Sequence, residues 1–234
     1  MPSSWNPAPS HTNRHRSPEG WALGRSVLAD GRLLITPLTS PVSSVTLPSE
    51  QTGVALAVLA IQTPEDGLLG ALAPLGLGAA AGTALVIDLD EAGPRYPGEG
   101  SLASLVTDGP RRDDLSPTRS GLAVLRNGGV EAAAARQVVD ALIAGWPSVV
   151  LRLPAEETVR EPDVVIRPLV PGSLFTQSPD RASVFQDLGF RLPAPGPRLP
   201  VLGRSTAATL LAGVVPARSR WVRAWKAAWE GAWE

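Results

Sequence analysis

Two apolar runs about twenty residues apart do most to constrain the fold of this chain. Val54–Ile61 is apolar throughout, and Ala84–Leu89 is interrupted only by Asp88. Each run is short for a helix and long enough for a strand buried on both faces. The Ala/Leu/Gly stretch between them, Leu68–Ala81, predicts a buried helix that is bent or broken near Pro74. Strand, helix and strand in this order predict a βαβ unit of a parallel sheet.

The same alternation continues toward the C-terminus. We predict further elements in chain order: a helix at Ser101–Val106 capped by Ser101, a strand at Leu122–Leu125, a helix at Val130–Ala144, strands at Ser148–Leu153 and Asp163–Val170, a helix within Ser173–Leu188, a strand at Val201–Leu202 and a helix at Ser205–Ala212 capped by Ser205. The fold class is therefore α/β. We expect a three-layer α/β/α domain with a mainly parallel sheet over residues 53–213.

The N-terminal quarter has a different composition from the predicted domain. Residues 1–20 contain four prolines and four serines and lack the apolar run of a signal peptide, so we expect a disordered leader. Asp30-Gly31 lies between short apolar stretches, which predicts a hairpin and then a Pro/Ser-rich loop within residues 21–52. The uncharged stretch Gly67–Ile87 has the length of a membrane span. Its five glycines, its proline and its lack of basic or aromatic flanks argue against one.

Composition excludes several kinds of site. The chain has no cysteine, and its two histidines, His11 and His15, lie in the leader, so we expect no metal site and no Ser-His-Asp triad in the folded part. Twenty of the 21 basic residues are arginine, and the single lysine is Lys226 near the C-terminus. A net charge of -1 gives no general basic field, so nucleic acid is not an expected partner.

Four segments in order resemble the MinD/ParA family of deviant P-loop ATPases, which includes septum-site and pilus-assembly proteins. The segments are Ala84-Leu-Val-Ile-Asp-Leu-Asp90, Ser101-Leu-Ala-Ser-Leu-Val106, Gly121-Leu-Ala-Val-Leu125 and Val149-Val-Leu-Arg-Leu-Pro154. The resemblance covers about Val54 to Val170. It implies a P-loop NTPase-like fold in which a phosphate-binding loop follows the first strand and a strand ends in an Asp-x-Asp segment.

The residues that should bind nucleotide depart from this family. The loop after the first strand reads Gln62-Thr63-Pro64-Glu65-Asp66-Gly67, with one glycine, no lysine and two carboxylates. Carboxylates would repel phosphate oxygens. The family's Asp-x-Pro carboxylate, which helps to hold magnesium, falls on Arg152. The resemblance thus implies a vestigial nucleotide site at Thr63, Glu65, Asp66, Gly67, Asp88, Asp90 and Arg152, with no catalytic residue and no cofactor.

Some of these residues have alternative interpretations. Asp88 and Asp90 could be a relic site, acceptors that order a loop, or solvated carboxylates at a strand end. A salt bridge from Arg152 to Asp88 could replace the missing magnesium. The turn Asn127-Gly128-Gly129 could hold an anion at a helix N-terminus, although a tight structural turn explains it equally well.

Tryptophans repeat every four residues near the C-terminus. Within Ala217–Trp233, which we predict to be one helix, Trp221, Trp225, Trp229 and Trp233 form a slanted stripe on one face of a Trp-rich amphipathic segment (residues 214–234). Basic residues flank the stripe: Arg218, Arg220, Arg223 and Lys226. Three interpretations stay open: the stripe docks on its own domain, it lies in a membrane interface, or it enters a partner's groove.

The resemblance and these departures together imply a pseudo-ATPase. We expect a non-catalytic scaffold or regulatory partner, in a process such as pilus assembly, septum positioning or secretion. Its expected partner is an active MinD/ParA-like or secretion ATPase in a homo- or heterodimer, with ionic contacts from Arg152 and the loop at Glu65 and Asp66. The expected location is cytoplasmic, with peripheral membrane contact through the C-terminal helix. The alternatives are an enzyme with an atypical nucleotide or small-molecule site, and a membrane-surface adaptor.

Overall fold

A computed structural model of the protein describes residues 57–231 except Glu99, Arg119, residues 157–159 and residues 173–181. The predicted leader, the predicted hairpin and Trp233 lie outside the described residues. The described strands are β1 (Ala57–Gln62), β2 (Thr83–Asp88), β3 (Gly121–Leu125), β4 (Ser148–Arg152), β5 (Val164–Leu169), β6 (Ser183–Asp187) and β7 (Arg198–Leu199). The described helices are α1 (Gly67–Ala81), α2 (Leu102–Asp108), α3 (Ala132–Gly145), α4 (Arg204–Leu211), α5 (Arg220–Ala224) and α6 (Lys226–Trp229).

The seven strands form one sheet in the order β3-β2-β4-β1-β5-β6-β7. Every pairing is parallel, so the carboxyl ends of all described strands lie at one edge. The predicted α/β class with a mainly parallel sheet is confirmed. Apolar residues on both faces of each central strand explain this arrangement, because a parallel sheet must be covered by helices on both sides.

Alternate residues of β2 show the two layers that cover the sheet. Ala84 and Val86 pack in the cluster that contains α1, Leu210 of α4 and Trp221 of α5. Leu85 and Ile87 pack in the opposite cluster with α2 and α3. The two-residue period of a strand thus separates two cores.

Helix α1 is the central element of one layer. It is continuous through Pro74, so the predicted break does not occur, and its residues 69–79 are buried. A proline inside a helix removes one hydrogen bond and costs about 3 kcal/mol, which burial of the surrounding leucines offsets. None of the described helices combines the length and the hydropathy that a membrane crossing requires.

Several predicted elements need correction. Residues 183–187 form strand β6 rather than part of a helix, and residues 173–181 lie outside the description. The last strand is Arg198–Leu199, upstream of the predicted Val201–Leu202. Helix α4 follows Gly203, and Ser205 makes no capping bond because it lies inside the first turn. In contrast, Ser101 caps α2 as predicted, in a reciprocal capping box with Ser104.

The C-terminal segment is two short helices rather than one. Helices α5 and α6 are separated at Trp225, and the first helix begins only at Arg220. The backbone N–H of Trp225 donates to the carbonyl of Val222, three residues back. This i→i−3 hydrogen bond interrupts the α-helical pattern at Trp225, so the predicted single helix is divided there.

Candidate functional site

An arginine and two aspartates meet at the carboxyl edge of the sheet. Asp88 ends β2 and Arg152 ends β4, and the two residues are partners in the parallel register. Nη1 of Arg152 lies 3.2 Å from Oδ1 of Asp88, and Nη2 lies 2.6 Å from Oδ2 of Asp90. The salt bridge predicted between Arg152 and Asp88 is therefore present. It is deeply buried, because the side chains of Arg152 and Asp88 are 3% and 2% exposed.

The loop after β2 closes around this arginine. Nη1 of Arg152 also donates to the carbonyl of Pro94 at 2.7 Å. The guanidinium carbon lies 5.4 Å from the centre of the Tyr96 ring, a cation–π distance. The hydroxyl of Tyr96 donates to the carbonyl of Ala71 in α1 at 2.7 Å. Arg152 thus connects the sheet, the loop after β2 and α1.

Asp90 orders its own loop as well as pairing with Arg152. Oδ1 of Asp90 accepts hydrogen bonds from the backbone N–H groups of Ala92 and Gly93, at 3.1 and 2.8 Å. Its other oxygen accepts from Arg152. Both oxygens are therefore engaged within the chain, which matches the predicted alternative of acceptors that order a loop.

Burial has the largest effect on the pKa of Asp88. It raises this pKa from 3.8 to about 6, although Arg152 and the backbone N–H groups of Asp90 and Asn127 lower it. Burial also raises the pKa of Tyr96, while the nearby Arg152 lowers it. The positive charge of Arg152 therefore compensates only in part for the desolvation of the Asp88 carboxylate.

The loop between β1 and α1 has a carboxylate at the helix N-terminus. Oδ1 of Asp66 accepts from the backbone N–H groups of Leu68 and Leu69, at 2.9 and 3.0 Å. Asp66 is thus the N-cap of α1. Glu65 beside it pairs with Arg167 of β5, with 2.7 Å between Oε1 and Nη1. Two of the N–H groups that an anion could use at this helix end are therefore bound by the protein's own side chain.

The structure brings most of the predicted site residues together around one cleft. It is lined by Thr63, Glu65, Asp66, Gly67, Asp90 and Arg152, among other residues, and has a volume of about 220 Å³. Asp88 lies beneath it and pairs with Arg152. Arg152 is 2% exposed, so in this structure it does not present the predicted ionic contact to a partner. No group of three or more carboxylate or imidazole side chains suited to a metal occurs among the described residues.

The turn at Asn127-Gly128-Gly129 has a structural explanation. Oδ1 of Asn127 accepts from the backbone N–H groups of Gly129 and Val130, at 2.7 and 2.9 Å. Gly128 has φ of 82°, and a Cβ there would lie 2.6 Å from Oγ of Ser101. The glycine permits close packing against the start of α2, and the asparagine orders the turn with its own side chain.

The three described tryptophans of the C-terminal segment, Trp221, Trp225 and Trp229, pack in the core cluster that contains α1. Trp221 and Trp225 are 1% and 0% exposed and pack edge to face, with ring centres 5.6 Å apart. Nε1 of Trp221 donates to Oε1 of Gln186 at 2.7 Å, and Nε1 of Trp229 donates to the carbonyl of Leu77 at 2.8 Å. These indoles are therefore not available to a membrane or a partner in this conformation. The flanking basic residues all remain exposed: Arg218, Arg220, Arg223 and Lys226.

Two important residues were not singled out from the sequence. Tyr96, the single tyrosine of the chain, lies in a Gly/Pro-rich loop with no periodic pattern, so no local signal marks it as buried. Gln186 lies in a segment predicted as helix. The capping role of Asp66, in contrast, has a recognisable signal, since an aspartate directly before an apolar helical run is typical of an N-cap.

Comparison with known proteins bears on the fold. No protein-family model matches this sequence, and no curated protein does. A solved ParA family ATPase from Chlorobium tepidum TLS is structurally similar, with a TM-score of 0.51 and 9% sequence identity; the alignment covers 75% of this chain and 99% of that chain. At this identity the similarity concerns architecture alone. The chain therefore has a ParA-like α/β fold.

Proposed function

We propose that this chain is a non-catalytic protein that uses a ParA-like fold as a scaffold or as the regulatory partner of another protein. One observation carries the proposal. The cleft at the carboxyl ends of β1 and β4 contains carboxylates and an internally neutralised arginine where a nucleotide site would need phosphate-binding groups. The phosphate loop is, on this proposal, degenerate.

The argument concerns charge and hydrogen-bond donors. A nucleotide's phosphates need backbone N–H groups and a cation free to approach them. Here Asp66 occupies the first N–H groups of α1, and the donors of Arg152 are directed to Asp88, Asp90 and Pro94. Displacing Asp66 would remove the N-cap of α1, which costs about 1 kcal/mol. Displacing Arg152 would leave the buried Asp88 without its partner, which costs several kcal/mol. No lysine lies between residues 57 and 225 to compensate.

Calorimetric titration tests the absence of nucleotide binding. The full chain is titrated with ATP and with ADP, each with magnesium, and a nucleotide-binding ParA ATPase is measured in parallel to validate the assay. We expect no binding heat at millimolar nucleotide. Magnesium-dependent binding in the micromolar range would contradict the proposal and would favour the alternative of an enzyme with an atypical site.

The partner that this proposal names is an active ATPase of the same fold or a secretion ATPase. The test is affinity purification of the tagged chain from its native cells, followed by light scattering to measure the mass of the isolated complex. A 1:1 or 2:2 complex with such an ATPase would support the proposal. A chain that stays monomeric when mixed with every candidate ATPase from the same cells would contradict it.

The membrane-adaptor alternative depends on the four exposed cations of the C-terminal segment. Since the tryptophans are docked, only charge attraction to anionic lipid is available without a conformational change. Co-sedimentation with phosphatidylserine vesicles tests this alternative, with R223E/K226E as the variant and E230Q as the control. Salt-sensitive binding that the double variant abolishes would favour an adaptor over a scaffold.

A further inference from the structure

The cleft beside Arg152 presents mostly hydrogen-bond acceptors to its interior. The turn between β1 and α1 supplies Thr63, Glu65 and Asp66, and the loop after β2 supplies Asp90. The positive charge of Arg152 at its base is balanced by Asp88 and Asp90. The remaining charge of the lining is negative. At about 220 Å³ the cleft is smaller than the roughly 300 Å³ or more that drug-sized ligands occupy.

One carboxylate oxygen in this cleft can still accept hydrogen bonds. Oδ1 of Asp66 makes both capping hydrogen bonds of α1. Its second oxygen, Oδ2, accepts no hydrogen bond from any residue in the described part of the chain. Asp66 is only partly exposed, so a cationic donor is attracted to this oxygen more strongly than to a fully solvated carboxylate.

Thr63 provides an independent observation. The residue is 8% exposed and lines the cleft, and its hydroxyl makes no hydrogen bond with any described residue. The hydroxyl oxygen itself is not fully buried, so a ligand in the cleft can reach it. A bound group that carries N–H donors and a positive charge could donate a hydrogen bond to the hydroxyl of Thr63 and also neutralise the carboxylate of Asp66.

We infer that this cleft binds a small cationic N–H donor, a primary ammonium or a guanidinium group, between the hydroxyl of Thr63 and Oδ2 of Asp66. The group could belong to a free amine or to a lysine or arginine side chain of a partner protein. This inference rests on the proposed function, because a cleft that still bound nucleotide phosphates would have the opposite charge preference.

The experiment is calorimetric titration of the full chain with agmatine as the free ligand. An acetyl-Gly-Arg-Gly-amide peptide represents a polypeptide source. Tetramethylammonium, which has charge but no N–H donor, is the ligand control. We expect agmatine or the peptide to bind with salt-sensitive affinity and tetramethylammonium to bind at least tenfold more weakly. Stronger binding of the peptide would identify a partner's side chain as the source, and stronger binding of agmatine a free amine.

Two conservative variants locate the binding to this cleft. Asp66→Asn removes the charge while asparagine remains a good N-cap, so the fold is retained. Thr63→Val removes the hydroxyl at nearly constant volume. We expect Asp66→Asn to weaken binding by about tenfold or more and Thr63→Val by about threefold to tenfold, while Asp108→Asn, an exposed carboxylate outside the cleft, leaves it unchanged.

Two results would overturn the inference. One is the absence of binding by both agmatine and the peptide at millimolar concentration. The other is binding that Asp66→Asn does not weaken. Either result leaves the proposed function intact, since that depends on nucleotide. Binding of ATP with magnesium would instead contradict the proposed function first, so the two failures are distinguishable.

Discussion

Arg152 and Asp88 are register partners at the carboxyl ends of β4 and β2, and their side chains form an ion pair that is almost completely buried. The pair extends through Asp90 to the loop after β2 and through Tyr96 to α1. It therefore serves as a structural connection at the position in the sheet where such folds place ligands.

Removing the arginine tests this connection. We expect Arg152→Ala to lower the free energy of unfolding by about 3–5 kcal/mol, because Asp88 and Asp90 lose their shared cation. Arg160→Ala is the control. Arg160 is 44% exposed on its side chain and forms a local pair with Asp163, so its loss should change stability by less than about 1 kcal/mol. Urea unfolding measures both values, and equal stability of the two variants would contradict a structural role for Arg152.

The raised pKa of Asp88 predicts a pH effect with a defined sign. A carboxyl group whose pKa is higher in the folded state binds its proton more tightly there, so its contribution to stability is present at low pH and is lost as the pH rises through about 6. Asp88→Asn cannot titrate. Between pH 4 and pH 7 we expect the wild type to lose about 2 kcal/mol of unfolding free energy relative to Asp88→Asn. A constant difference between the two proteins across this range, in urea unfolding, would show that the pKa is not raised.

Two glycines of α1 allow a matched pair of alanine substitutions. A Cβ at Gly76 would lie 2.6 Å from Cη2 of Trp221 and 2.8 Å from Nε1 of Trp225, whereas one at Gly70 would find its nearest neighbour 3.8 Å away. We expect Gly76→Ala to destabilise by about 1–3 kcal/mol through overpacking. Gly70→Ala should be neutral or stabilise by up to about 1 kcal/mol, because alanine favours helix. Thermal unfolding compares the two, and similar effects would argue against close docking of the C-terminal segment.

The indole hydrogen bond to Gln186 can be removed by replacing the indole with the smaller phenyl ring. Trp221→Phe leaves Oε1 of Gln186 without this donor in a side chain that is 0% exposed. We expect a loss of about 2–3 kcal/mol, including the smaller apolar area. Trp229→Phe removes a hydrogen bond at a partly exposed position and should cost about 1 kcal/mol. If Trp229→Phe proved the more costly substitution in urea unfolding, the assignment of Trp221 as the anchor of the segment would be wrong.

Much of the architecture could be predicted from apolar runs and their spacing. Strands β1 to β5 and helices α1 to α3 lie within a few residues of their predicted bounds, because local pattern and tertiary burial agree there. The prediction failed for residues 183–187, where Phe185 was assigned to a helical segment. The segment forms a strand because it pairs in parallel with the edge of β5. No residue pattern within the segment predicts this pairing.

The candidate site was predictable in part. The positions of Asp88 and Arg152 at strand ends followed from the parallel sheet, and their proximity followed from the strands being neighbours. The capping role of Asp66 has a local signal in the sequence. The buried ring of Tyr96 and the position of Thr63 in the cleft depend instead on how loops close over one edge of the sheet. Loop conformations follow from contacts between distant segments, which a local reading of the chain does not include.

The sequence by itself determined that this chain forms a parallel α/β sheet and that the loop after β1 lacks a lysine and carries two carboxylates. It also set the four-residue spacing of the tryptophans, but that spacing is equally suited to lipid, to a partner and to the chain's own surface. Only the tertiary structure decided among them in this conformation. The surface of α1 at Gly76 has room for the rings of Trp221 and Trp225, and Gln186 of β6 accepts a hydrogen bond from the indole of Trp221. Whether a side chain is buried depends on the surface that it contacts, and this surface is formed by residues that lie 35 to more than a hundred positions away in the chain.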